Sequence, residues 1–215
     1  MAGDAHARRL RRLTTPRSAA VAGIVFAVLF AASLVLLRSV IPDDPFAHIS
    51  WTGGGRTRIG AALVLAPMAA IAFLWFIGVM RDALGDYEDR FFASVFFGSG
   101  LLFLAMTAVS MAIAGAILTI AQEVATDDLI YFGRSLMLQI SNVWGVRMAA
   151  VFMISLATIL LRTGLMPRWT SMLTYLVAAT LIIVVTFSLW VTLIFPAWVG
   201  VVSVMVLVAR PRGAS

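Results

Sequence analysis

Polar and apolar positions in this chain fall into long blocks, with neither the alternation of strands nor the one-sided period of soluble helices. Apolar runs cover Ser18–Val40, Ile59–Met80, Phe91 to about Ala121, and a segment within Ser135–Leu161. About 20 apolar residues in a helix cross the ~30 Å hydrocarbon core of a bilayer. A last apolar run spans Thr170 to Ala209. As one helix it would measure about 60 Å, twice that core. It must therefore fold back, and a turn is predicted near Ser188–Thr192, with Trp190 at the interface where tryptophans collect. The pattern predicts an all-α fold: a polytopic membrane helix bundle of six transmembrane helices.

Composition agrees and narrows the class. Of 215 residues, 62% are hydrophobic and 12% charged, against about half and a quarter in soluble domains. A single membrane domain over 18–209 is expected, with a basic tail over 1–17 and a short tail over 210–215. Cysteine is absent, which excludes disulfides, thiolate metal sites and cysteine nucleophiles. The formal charge of +6 comes from arginine alone, and its placement matters more than its size. Arg8, Arg9, Arg11, Arg12 and Arg17 directly precede the first apolar run, as a membrane anchor that attracts anionic lipid at about 1 kcal/mol per residue. No basic face with aromatic or polar readers accompanies them, so nucleic acid is not an expected partner. The run that follows exceeds the 7–15 residues of a signal-peptide core and ends in Arg38 without a clean cleavage site. It is expected to stay in the chain.

With the N-terminus inside, Arg8, Arg9, Arg11, Arg12, Arg17, Arg81, Arg90, Arg162, Arg168, Arg210 and Arg212 share the cytoplasmic side. Arg38, Arg56, Arg58 and Arg134 face out. This bias predicts both termini in the cytoplasm and a place in the cell membrane. Ala19, Gly23, Ala27 and Ala31 recur every four residues, a small-residue stripe of the kind that lets helices approach closely in lipid. The stripe is a candidate face for another membrane protein. Ala62, Ala66 and Ala70 repeat the device in the second span. Pro67 and Pro196 predict kinks. No repeat links the first three spans to the last three, as an inverted-repeat transporter would be expected to show.

Arg147 carries the sharpest question. In one continuous helix from Arg134 to Arg162 it lies near the midplane, where a charge costs from ~3 to more than 10 kcal/mol. At 100° per residue Gln139 and Thr158 share its side of the helix, and Asn142 is well around. Gln139, Asn142 and Arg147 are the candidate ligand-binding residues, for an anionic headgroup or a carboxylate. The alternative is a shallower span beginning near Asn142, from which Arg147 snorkels toward Glu123, Asp127, Asp128 or lipid phosphate and orients the helix.

Other constellations carry less. Asp82, Asp86 and Asp89 could share a helical face, but Asp86 and Arg90 form a local pair at i, i+4. Asp43, Asp44 and His48 are turn material, and no metal site or cofactor is predicted. The stretch "WTGGGRTR" lacks the ending of a phosphate loop. No serine–histidine–acid or HExxH arrangement exists, so no catalytic residues and no enzyme are predicted.

The loop "RTGLMPRW", Arg162 to Trp169, resembles a signature of actinobacterial multi-pass membrane proteins, in which a span ends in arginine, a small residue and glycine before a Pro-Arg-Trp entry to the next. The resemblance implies a six-span topology and no activity, cofactor or catalytic residue. Gly164 suits the helix stop and Pro167 the restart. Together these features lead to the expectation of a non-enzymatic accessory or partner subunit acting through helix contacts, the alternative being a small transporter or lipid-handling protein with an anionic ligand near Arg147.

Overall fold

The computed structural model describes residues 2–41, 53–84, 90–120, 126–164, 166–184 and 189–208, and no strand occurs among them. Seven α-helices follow in order: α1 (Ala2–Arg38), α2 (Gly54–Leu84), α3 (Arg90–Ile120), α4 (Asp127–Leu138), α5 (Val146–Arg162), α6 (Arg168–Val184) and α7 (Ile194–Val208). A π-helix, Gln139–Gly145, joins α4 to α5 without a break, and a 3-10 turn, Leu189–Leu193, leads into α7. Five stretches are long and apolar enough to cross a membrane: Arg17–Arg38, Gly54–Asp82, Phe91–Ile120, Asp127–Arg162 and Val191–Val208. The expected sixth, α6, is apolar but shorter.

Local chemistry explains the boundaries. Gly164 takes φ +70° after the last turn of α5, a conformation that costs glycine nothing, and the Met166 N–H returns to the Leu160 carbonyl. The Pro167 carbonyl accepts the Thr170 and Ser171 N–H groups and so opens α6. Within the Thr170–Ala209 run α6 is described to Val184 and a 3-10 turn occupies Leu189–Leu193, while residues 185–188 lie outside the described residues. Pro67 lies inside α2, which runs through it. Pro196 lies in the first turn of α7, directly after the 3-10 turn Leu189–Leu193. The helix of α1 begins far ahead of the apolar run, so Arg8, Arg9, Arg11 and Arg12 lie on one helix with it; their side chains are outside the described residues.

Neighbouring helices are antiparallel, as cross-helix pairs show: Ser33 with Ala62, Arg56 with Leu118, Ser110 with Met137, and Thr158 with Tyr175. The chain thus has two ends. Arg17, Arg81, Arg162 and Arg168 share the basic end, where Arg81 and Arg162 each lie 4.8 Å over a ring, Phe97 and Phe92. The opposite end holds Arg38, Arg56 and Arg134.

Phenylalanines fill the centre. Phe26 and Phe30 of α1, Phe73 and Phe76 of α2, Phe96 and Phe103 of α3, Phe152 of α5 and Phe195 of α7 are all buried and interlock ring against ring. Where lipid is as apolar as the core, helices associate through such packing. A second apolar cluster, including Leu37, Ile59, Met111, Ile117 and Met137, lies toward the Arg38 end. The small-residue stripe turns inward. Ala19 is buried, a Cβ on Gly23 would overlap the Ser203 hydroxyl and come 2.8 Å from the Phe76 ring, and Ala27 meets Gly200. The stripe, expected as a face for another chain, is where α1 receives α2 and α7.

Candidate functional site

Buried polar side chains divide between the two ends of the bundle, with Ser33, Arg38, Ser110 and Asn142 toward the Arg38 end and Thr170, Ser171 and Thr174 toward the basic end. Ser33 donates to the Ala62 carbonyl (2.9 Å) and Ser110 to the Met137 carbonyl (3.0 Å), binding α1 to α2 and α3 to α4. Between them stands a guanidinium. Arg38, 7% exposed, donates from Nη2 to Asn142 Oδ1 at 2.8 Å. Asn142, also 7% exposed, lies in the middle of the π-helix. A π turn holds more residues than an α turn, so even rotation along the segment fails there. Gln139, expected on the side of Arg147, is exposed, whereas Asn142 points in. Gln139, Asn142 and Arg147 are therefore not brought together as one ligand site.

Arg147 is half-buried, and its Nη1 donates to the Val143 carbonyl at 2.9 Å, one turn back along its own helix. The π-helix loosens the regular ladder, and carbonyls at its start and within it take side-chain donors: Met137 from Ser110 and Val143 from Arg147. The acids suggested as its partners are out of reach. Asp127 and Asp128 are exposed in the first turn of α4, about 28 Å from Arg147 along the helix. Glu123 lies outside the described residues, as do Asp43, Asp44, His48, Asp86 and Asp89.

Two of the arginines placed from sequence on the non-cytoplasmic side, Arg38 and Arg134, are buried within the bundle at that end. Arg134 is 1% exposed and, with Arg38, is among the most deeply set charges described. The signal was present in the spacing. Ile130, Arg134 and Met137 stand at i, i+4 and i+7 on the inward face of α4, and Leu34, Arg38 and Ile41 do the same at the end of α1. A second polar pairing holds α6, where Trp198 Nε1 donates to Thr174 Oγ1 and the Thr158 and Tyr175 hydroxyls meet, each at 2.9 Å.

Chemically, the arrangement among the described residues brings a cationic and an amide group together. Among the described residues no three His, Cys, Asp or Glu side chains converge on a metal-sized site. An apolar pocket of about 210 Å³ opens between α3 and α4, lined by Ile113, Ile117, Leu129 and Phe132 among others. It holds no group for chemistry.

Asn142→Leu is expected to lower unfolding free energy by about 2 kcal/mol, because a buried hydrogen bond to a charged group contributes roughly 1.5–3 kcal/mol. Denaturation of the purified chain checks this. Combined with Arg38→Leu, the loss should be smaller than the sum of the two single losses.

Compared with protein-family models, with curated proteins and with solved structures, the chain matches none of them.

Proposed function

We propose that this chain is a six-span protein of the cell membrane with both termini cytoplasmic, acting without catalysis as a partner subunit of another membrane protein. The observation that carries this reading is the filled centre. Eight phenylalanines from α1, α2, α3, α5 and α7 interlock at the level where a carrier places its substrate site. A bundle built this way does its work on its outside. The small-residue stripe is spent on internal packing, so the partner meets other faces. The outward side of α6 suits contact, with Trp169, Met172, Leu173, Leu176 and Ile183 exposed in helical register.

Orientation follows the arginine bias. Arg81, Arg162 and Arg168, with the N-terminal arginines, supply a basic end suited to the anionic cytoplasmic leaflet. In this frame α6 crosses as the sixth span, its 17 residues covering about 25 Å, with the Thr170–Ala209 run forming a hairpin. The resemblance of "RTGLMPRW" to the actinobacterial loop points to the same topology. Anionic-ligand handling is the second reading, favoured by Arg147, whose guanidinium makes a single hydrogen bond, to a backbone carbonyl.

Native mass spectrometry of the chain extracted gently from its own membrane tests the proposal. A second protein at fixed stoichiometry is expected. A chain recovered alone, or as a homodimer carrying a reproducible small-molecule mass, would overturn the partner reading.

A further inference from the structure

We infer that Arg147, with Trp144 one turn away, seats the phosphate of a phospholipid in the leaflet at the Arg38 end of the bundle. The inference rests on the chain crossing a membrane and is independent of any partner subunit.

Depth comes first. The guanidinium of Arg162 over the Phe92 ring marks one boundary. Counted from there along one helix, Arg147 is about 22 Å away and Trp144 about 27 Å. Arg17 and Arg38, the ends of the first span, stand about 32 Å apart on α1. A hydrocarbon layer of ~30 Å therefore ends near Trp144, with Arg147 inside it by about one turn. That is within reach of a snorkelling arginine. Trp144 is 60% exposed, an indole at the level where indoles sit among headgroups.

Direction comes next. Side chains on a helix lean toward its N-terminus, which for α5 is the Arg38 end. The bond from Nη1 to the Val143 carbonyl holds the guanidinium in that direction, a turn nearer the boundary than its own Cα. It uses one of five N–H donors. The remaining edge of a planar guanidinium matches two phosphate oxygens.

The neighbouring helix α6 is described as far as Val184, and residues 185–188 lie outside the described residues. Thr158 and Tyr175 pair at 2.9 Å across antiparallel α5 and α6, which sets Val184, the last residue of α6, about level with Ala149. Arg147 stands just beyond that level. On the other side of the bundle α2 and α3 continue past it, as Arg56 reaching Leu118 shows. A guanidinium this near the edge of the hydrocarbon is within snorkelling reach of the phosphate layer. A soluble anion would have to leave water to reach it, whereas a lipid phosphate is already there.

The test uses the full chain in detergent with added phosphatidylglycerol, read by native mass spectrometry. The basic end retains lipids of its own, so the readout is the lipid that a variant no longer holds. Arg147→Gln is expected to retain one lipid fewer than the wild type, with affinity for that lipid reduced about tenfold, as for loss of charged hydrogen bonds. Trp144→Leu should weaken the same lipid without removing it, and millimolar inorganic phosphate should displace nothing. Equal lipid retention by Arg147→Gln at unchanged thermal stability would overturn the inference and leave Arg147 as a brace for the Val143 carbonyl. Displacement by inorganic phosphate would overturn it in favour of a free-anion site. If Arg147→Gln does not fold, Trp144→Leu decides, and unchanged retention there also overturns it. None of these outcomes bears on whether a partner subunit exists.

Discussion

Phe73→Ala should unfold the bundle more readily than any other single truncation, with a loss of about 3 kcal/mol. Phe73 is fully buried, and its ring stands 4.5 Å from that of Phe26, 5.2 Å from Phe152, 5.6 Å from Phe103 and 5.7 Å from Phe195. Those rings come from α1, α5, α3 and α7, so one side chain on α2 touches four other helices. In soluble cores the same change costs roughly 3–5 kcal/mol, part of it transfer from water and part the cavity left behind. The transfer part fades where the unfolded helices already sit in lipid, but lost dispersion and aromatic contacts remain. The expectation accordingly lies at the low end of that range. Unfolding of the purified chain in mixed micelles measures it. Ile71→Ala, on the exposed side of the same helix, serves as the control and should change stability by less than about 0.5 kcal/mol. Equal losses at the two positions would mean that the phenylalanine centre does not hold the helices together.

Gly23→Leu is the second large effect, also about 3 kcal/mol, and it separates two uses of the same residue. A Cβ on Gly23 would overlap the Ser203 hydroxyl on α7 and come 2.8 Å from the Phe76 ring on α2. Two partners on two helices must move before a leucine fits. Overpacking of this kind typically costs 1–3 kcal/mol, and contact with both α2 and α7 puts it at the upper limit. The expected outcome is a lower melting temperature of the isolated chain, with α7 loosened from α1. Gly23→Ala should show the same change at smaller size. If the leucine variant melts like the wild type and loses only a binding partner, the stripe faces another chain and the α1–α7 packing described above is incorrect.

The apolar runs of the spanning helices were readable along the chain, although α1 begins well before its run. Residues such as Gly164 and Pro167 act through their own backbone, and a run of about twenty apolar residues between arginines permits few alternatives to a spanning helix. The direction each helix face takes was not readable there. Lipid and core are equally apolar, so a spanning helix shows little contrast between its sides, and small-residue spacing marks close approach without naming the neighbour. Ala19, Gly23, Ala27 and Ala31 thus suggested an outer face and proved to be an inner one.

The charged residues divide along the same line. That Arg81 and Arg162 sit at one end follows from where the apolar runs stop. Arg38 and Arg134 each stand at the i+4 position of an apolar row, a spacing the sequence carries, but which face of the helix turns inward is decided by the helices beside them. The π-helix then turns Asn142 toward Arg38 and leaves Gln139 outside, a rotation that even helical spacing cannot anticipate. Local hydrogen bonding and hydropathy act between residues near in sequence, so the chain alone marked its apolar helices and their basic end. Packing acts between residues far apart, so the phenylalanine centre, the inward stripe and the surroundings of Arg147 were decided only when the helices met.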